Sequence, residues 1–164
     1  LRNMYANLLA KSMTDNERDG VHPCFVEIIK QLCPDEAKIL RHIMGSEVLP
    51  IIDLRAENDK FEGIDLIRNF SDVGYVCQCE VPNRVDEYID NLVRLGLLEH
   101  PRFNSLVDKS LYEPLKKHDI VMKYTELYQG RLEGTPNVRI SEGFVRLSCL
   151  GVSFCETCIS DDLR

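Results

Sequence analysis

From Pro82 to Pro101 the chain reads PNRVDEYIDNLVRLGLLEHP, an amphipathic stripe that stops at a glycine and runs straight into two more leucines. Val85, Tyr88, Ile89, Leu92 and Val93 recur at helical spacing, so one face of a helix is apolar and has to be buried. Asn83 is the expected N-cap. Asp86 and Glu87 fill the first turn and Arg94 the last, as the helix macrodipole favours, and Asp90 and Arg94 stand four apart as an acid-to-base pair. Gly96 is placed for the left-handed position after the last turn, with Leu97 folding back on the helix. Such a stretch commits the chain to a helix, a sharp stop and an immediate strand.

The other elements must cover that apolar face. Leu1, Met4, Tyr5, Leu8 and Leu9 form a first helical stripe ending near Met13, before a polar loop from Thr14 to Gly20. Pro23 is expected at the first position of a second helix that buries Phe25, Ile28, Ile29 and Leu32. Pro34 and Glu36 open a third helix behind Cys33, with Ala37, Leu40, Ile43 and Met44 along one side and Gly45 ending it. Val48 to Leu54 is strand-like, and Pro50, having no N–H to donate, assigns it to a sheet edge. Ile64 to Phe70 fits strand and helix equally, and Ser71 is placed to cap a short helix carrying Val73, Val76 and Cys77. Further on, a helix is expected between Leu111 and Leu127, then a strand from Val138 to Leu147 with a turn or bulge at Glu142 and Gly143. Ser148 caps a final helix that buries Leu150, Phe154 and Cys158.

With 164 residues the default is one domain. Residues 1–33 read as N-terminal helices and 34–164 as the domain proper. Apolar residues make up 44% and there is no Trp, which suits a core of Leu, Ile and Val. The net charge of -7 argues against a phosphate-binding surface, since such surfaces rest on Lys and Arg. One basic stretch stands out, with Arg102, Lys109, Lys116, Lys117, Lys123 and Arg131. No run approaches the roughly 18 apolar residues of a spanning helix, so no membrane contact is expected within these residues. The chain starts at Leu1 inside a helical stripe without an initiator Met, and is expected to be a piece of a longer protein. Seven cysteines, an odd number without the dense spacing of a secreted scaffold, imply free thiols in a reducing cytoplasm.

Three sets of residues carry candidate chemistry. Pro34, Asp35, Glu36 and Lys38 echo a nuclease metal motif, but on a helix Glu36 and Lys38 diverge by roughly 200° where a strand would align them. Asp53, Glu57 and Asp59 could group carboxylates for a hard cation, yet their spacing matches no cation loop and reads as a solvated turn. Cys77, Cys79, Cys155 and Cys158, with His22 or His100, supply soft ligands, but Cys158 continues an apolar stripe and reads as a small hydrophobe. His22, His42, His100 and His118 are scattered, and no nucleophile motif or phosphate-cradling glycine loop occurs. The sequence therefore assigns no catalytic, cofactor-binding or metal residue, and an enzyme is not expected.

Taken in order, helices at 34–44, 72–79 and 84–95, strands at 97–100 and 144–148 and a closing helix resemble a winged helix. The fold class is thus mainly α (α+β), with residues 101–137 as a long insertion in the wing. YANLLAKSM, HPCFVEIIKQLCPDEAKIL, LPIIDLR and YIDNLVRLGLLE together resemble the bacterial abortive-infection alpha family, a family of uncharacterised function. That resemblance implies a link to abortive infection and phage defence. Two functions follow. A non-enzymatic protein-interaction module, with a protein partner or a second copy, suits the acidic charge and the Asp86, Glu87 and Asp90 face of the central helix. A winged-helix DNA-binding regulator, using that helix in the major groove and Lys116 and Lys117 in the wing, is the alternative.

Overall fold

The computed structural model describes residues 1–14, 21–58, 60, 62–129 and 137–159. The central stripe forms helix α5 (Val85–Arg94) with Val85, Tyr88, Ile89 and Leu92 buried; Val93 is exposed, so the buried face is narrower than its spacing implies. Its start also differs. Pro82–Arg84 make a 3₁₀ turn and Arg84 takes the N-cap position, while Asn83 accepts instead from the Tyr75 hydroxyl. The end is a Schellman motif. Gly96 has φ +75°, its N–H donates to the Val93 carbonyl at 2.9 Å, and the Leu97 N–H donates to the Leu92 carbonyl at 3.0 Å.

Strand β3 (Leu98–Glu99) follows at once and pairs antiparallel with the last two residues of β4 (Asn137–Leu147), Leu98 opposite Leu147 and Glu99 opposite Arg146. Helix α8 (Cys149–Cys158) then starts at Ser148, whose Oγ accepts from the Gly151 N–H at 2.8 Å and donates to the Gly96 carbonyl. The Ser148 N–H donates to the Leu97 carbonyl at 3.0 Å. Gly151 makes this closeness possible, because a Cβ there would stand 2.0 Å from the Leu97 carbonyl oxygen.

The chain forms two compact units, one of Leu1–Val48, Val73–Glu99 and Arg146–Arg164, the other of Leu49–Asp72 and His100–Val145. In the first, α1 (Arg2–Ser12), α2 (Phe25–Lys30), α3 (Pro34–Ser46) and α4 (Val73–Val76) join α5, β3 and α8. Phe25 meets Phe154 edge-on at 5.3 Å. Asn7 and Lys11 of α1 donate to the Cys158 and Glu156 carbonyls at 3.0 and 2.7 Å, placing a cation at the negative end of α8. Helix α3 departs from expectation. It buries Ile39, Leu40 and Ile43 together with Asp35 and Glu36, leaves Met44 exposed, and runs through Gly45 to end at Glu47, which has φ +65°. Helix α2 begins after Cys24, so Pro23 lies in the preceding turn and not at its first position. The predicted loop from Thr14 to Gly20 falls, beyond Thr14, outside the described residues.

In the second unit β1 (Val48–Glu57) pairs antiparallel with β2 (Gly63–Phe70), from Ile52 opposite Phe70 to Glu57 opposite Gly63. Register shifts around Leu54 mark a bulge beyond the neighbouring Ile51 and Ile52, both of them buried. Helices α6 (Glu113–Lys116) and α7 (Asp119–Tyr128) cover this sheet through a core of Ile52, Leu54, Tyr112, Leu115 and Val121. The helix expected from Leu111 to Leu127 is split, because His118 is extended and its Nδ1 accepts from the Ile120 N–H at 3.3 Å as the cap of α7. The Tyr112 hydroxyl accepts from the Leu106 N–H at 2.9 Å and donates to the Gly143 carbonyl at 3.0 Å.

Among the described residues the sheet has four antiparallel strands in the order β2-β1-β4-β3, with eight α-helices. This mixed α+β architecture overturns the winged helix. The return strand is not a short wing edge: β4 runs unbroken for eleven residues through Glu142 and Gly143. Residues 100–145 share a unit and a core with the β1–β2 hairpin instead of looping out of a wing. Pro50 misled in the same way, since β1 lies inside the sheet between β2 and β4. On the β2 side Pro50 lies ahead of the ladder, which starts only at Ile52. No described helix is long and apolar enough to cross a membrane.

The junction of β3 with α8 sets a test. Gly to Ala within a helix normally stabilises by about 1 kcal/mol, but at Gly151 the new methyl meets backbone. Gly151→Ala is expected to destabilise by about 1–3 kcal/mol in urea unfolding, and Ser148→Ala by about 1 kcal/mol. A Gly151→Ala protein as stable as the parent would contradict this packing.

Candidate functional site

A cleft of about 490 Å³ opens within the first unit, between the α2–α3 junction and the start of α5. One wall is Gln31 to Glu36; Glu80, Val81, Arg84, Glu87, Tyr88 and Asn91 make the other. Two acidic residues of the α3 first turn build its base. Asp35 is only 5% exposed and Glu36 4%. Burying carboxylates costs free energy unless donors surround them, and here they do.

Asp35 gathers four donors. Its Oδ1 accepts from Lys38 Nζ at 2.9 Å, and its Oδ2 accepts from the Glu80 N–H at 2.9 Å, the Val81 N–H at 3.4 Å and the Tyr88 hydroxyl at 3.2 Å. Lys38 reaches on to the Gln78 carbonyl at 2.9 Å, so the turn after α4 is held at both ends. Glu36 accepts from the Cys33 N–H at 2.7 Å, closing the first turn of α3, and from Asn91 Nδ2 at 2.7 Å, which ties α3 to α5. Arg94 completes this side by donating to Asn91 Oδ1 at 2.7 Å and Gln31 Oε1 at 3.1 Å.

The electrostatics follow from these bonds. Burial pushes the Asp35 carboxyl up, but Lys38, the two backbone N–H groups and Tyr88 outweigh it and hold the group below the usual carboxylate range. Burial, and then the bond to Asp35, push the Tyr88 hydroxyl up to about 12. Cys79 is pushed up to about 11 by burial and next by the Asp35 charge, and burial likewise raises the Cys33 thiol. All four groups move away from neutrality. At neutral pH they are an anion, a neutral phenol and two thiols, of which Cys33 lines the cleft and Cys79 does not.

Of the residues singled out in the sequence, Pro34, Asp35, Glu36 and the central helix's Glu87 line the cleft, Glu87 paired there with Arg84, and Lys38 binds Asp35; the others lie elsewhere. Asp53 accepts from the Asn69 N–H at 2.7 Å, and Glu57 pairs with Arg55 and Arg139 at 3.6 Å in each case; Asp59 lies outside the described residues. Cys77 donates to the Lys38 carbonyl at 3.8 Å. Cys155 and Cys158 are core residues of α8, and burial pushes both thiols up to about 12. His22 belongs to the first unit and accepts from the Cys24 N–H at 3.2 Å, whereas His100 belongs to the second. Among the described residues no three His, Cys, Asp or Glu side chains are grouped to hold a metal ion. In the basic stretch Lys109 and Lys116 bind Glu142 at 2.6 and 2.9 Å, and Lys117 pairs with Glu113 at 3.5 Å; Arg131 lies outside the described residues.

Sequence reasoning missed that Asp35 and Glu36 point inward and that Tyr88 and Asn91 meet them. A signal existed for Glu36, whose place at the third position of a helix behind a proline is that of a capping carboxylate. Nothing local marks Asp35 as buried, because apart from Lys38 its partners come from residues 80 to 88.

Comparison with known proteins adds two findings. The family model described as Abortive infection alpha matches residues 1–158. No curated protein matches the chain. Among solved structures, an uncharacterized protein from the hydrocarbon-degrading marine bacterium Alcanivorax borkumensis SK2 is similar in fold, with a TM-score of 0.54 at 20% identity over 83% of this chain and 92% of that one.

Asp35→Ala would strand two backbone N–H groups and leave the Tyr88 hydroxyl only the Val81 carbonyl at 3.4 Å, at a cost of about 2–3 kcal/mol near neutral pH. Because its carboxyl is held below the ordinary value, Asp35 stabilises the fold above the unfolded-state value of 3.8, and that contribution is lost as pH falls through the lower folded value. The gap between parent and variant, read from denaturant unfolding at several pH values, is expected to narrow below about pH 4. A gap independent of pH would mean that the Asp35 charge contributes nothing.

Proposed function

Since the chain belongs to the abortive infection alpha family, we propose that it is a non-enzymatic protein-interaction module acting in phage defence in the bacterial cytoplasm, with the α3–α5 cleft as its contact. The observation that carries this reading is the state of the cleft's ionisable groups. Asp35, Tyr88 and Cys33 are bonded or shifted away from neutrality, which suits a rigid recognition surface better than a site that must cycle protons. The cleft also has apolar rim surface, for Val81 is exposed beside it. An acidic chain whose Lys109, Lys116 and Lys117 already pair with Glu113 and Glu142 favours a protein over a nucleic acid.

A photo-crosslinking residue placed at Val81 tests this in bacteria challenged with phage, with the same residue at the exposed Val107 as control. The expected outcome is a discrete protein adduct at Val81 that is absent at Val107. Adducts to nucleic acid alone, or none at Val81, would overturn the proposal.

A further inference from the structure

The loop that follows β3 holds two large apolar side chains out of the fold. Phe103 is 104% exposed and Val107 99%. Phe103 is the third residue of a turn closed by the Asn104 N–H on the Pro101 carbonyl at 3.3 Å. Its φ is +67°, a conformation that glycine adopts freely and phenylalanine does not. The loop is nonetheless fixed from beneath. Leu106 packs against the core of the second unit, and its N–H donates to the buried Tyr112 hydroxyl at 2.9 Å. Lys109 Nζ donates to Ser105 Oγ at 2.6 Å, and Asp108 Oδ1 accepts from the Ser110 N–H at 3.0 Å. A segment tied down at its base and strained at its tip presents Phe103 and Val107 in place, as a contact surface requires.

The order of side chains says what that surface meets. From Arg102 to Asp108 the chain runs cation, Phe, two polar residues, an inward Leu, Val and anion. A two-fold axis at Ser105 sets Phe103 of one copy against Val107 of the other and Arg102 against Asp108, and each contact occurs twice. Both charges are open to it. Arg102 is exposed and makes no hydrogen bond or ion pair among the described residues, and Asp108 Oδ2 accepts none of the bonds that hold the loop. Lipid fits less well, since Asp108 and the net charge of -7 oppose an anionic membrane surface. We infer that the loop from Arg102 to Asp108 is a self-complementary contact through which two copies of the chain associate. The face is smaller than the roughly 20–30 residues a side of a standard interface, so association is weak and shows between about 10 µM and 1 mM.

Sedimentation velocity of the full chain across that range tests this. The parent is expected to shift from monomer to dimer and Phe103→Gly to remain monomeric. Arg102→Glu, which sets two carboxylates together at each end of the contact, is expected to dimerise at least about tenfold more weakly. Asp108→Asn keeps a capping oxygen but loses the charge, and is expected to weaken the dimer measurably. Lys123→Glu, an equal charge change at an exposed position of α7, serves as the control and is expected to dimerise as the parent does. Phe103→Gly is also expected to raise the urea midpoint, because glycine relieves the backbone. A lower midpoint would mean that the ring serves the fold, and would overturn the inference. So would a parent that stays monomeric at about 1 mM, a dimer unmoved by any of the three loop variants, or a Lys123→Glu chain weakened as much as Arg102→Glu. Sedimentation of the chain with phosphatidylcholine and phosphatidylglycerol vesicles, lost in Phe103→Gly, would make lipid the occupant and also overturn it. A photo-crosslinking residue at Val107 is expected to give the chain's own dimer, of twice its mass, and not the adduct expected at Val81. Failure of either reading therefore leaves the other standing.

Discussion

Everything in the first unit depends on one backbone junction. Gly96 turns the chain out of α5 with a positive φ, and the carbonyls of Gly96 and Leu97 then receive the hydroxyl and N–H of Ser148. Two points 52 residues apart in sequence thus share a turn. The same serine caps α8, so the end of one helix and the start of another are fixed by a single side chain. Gly151 has to be bare, because the Leu97 carbonyl occupies the space of a side chain. The residues between, 100 to 145, leave after β3 and return along β4, which lets them build a unit with a core of its own.

A second constraint is polar. Asp35 and Glu36 are buried on the same helix turn, and besides Lys38 and the Cys33 N–H of that turn their donors come from other segments: the turn at Glu80 and Val81, the Tyr88 hydroxyl and the Asn91 amide. Buried carboxylates with a full set of donors fix one arrangement of α3 against α5, since any shift would leave a charge without its bonds. The cleft is a consequence. Its floor is polar because the helix start is, and Leu32, Pro34 and Val81 add apolar surface to walls that also carry Arg84 and Glu87.

The second unit handles charge differently. Lys109 and Lys116 converge on Glu142 from the segment before α7, and Tyr112 spans from the Leu106 N–H to the Gly143 carbonyl beside it. The stretch that looks basic in one dimension is largely spent on internal pairs in three. Counting Lys and Arg along a segment overstates its pull on phosphates when acidic residues from another strand lie alongside.

Sequence alone determined the local grammar. The α5 stripe, its glycine stop, the serine cap of α8 and the inward Phe25, Ile28, Ile29 and Leu32 all follow from spacing and from the backbone needs of helix ends, which act within a turn or two. So did the phrases that place the chain in its family. Only the tertiary structure decided the sheet order, the interior place of β1 despite Pro50, and the passage of β4 straight through Gly143. It also decided that Asp35 and Glu36 face inward and meet Tyr88 and Asn91. The physical reason is common to all of these. Strand partners and the donors of a buried carboxylate lie tens of residues away, and no local period records which distant segment will supply the missing hydrogen bond.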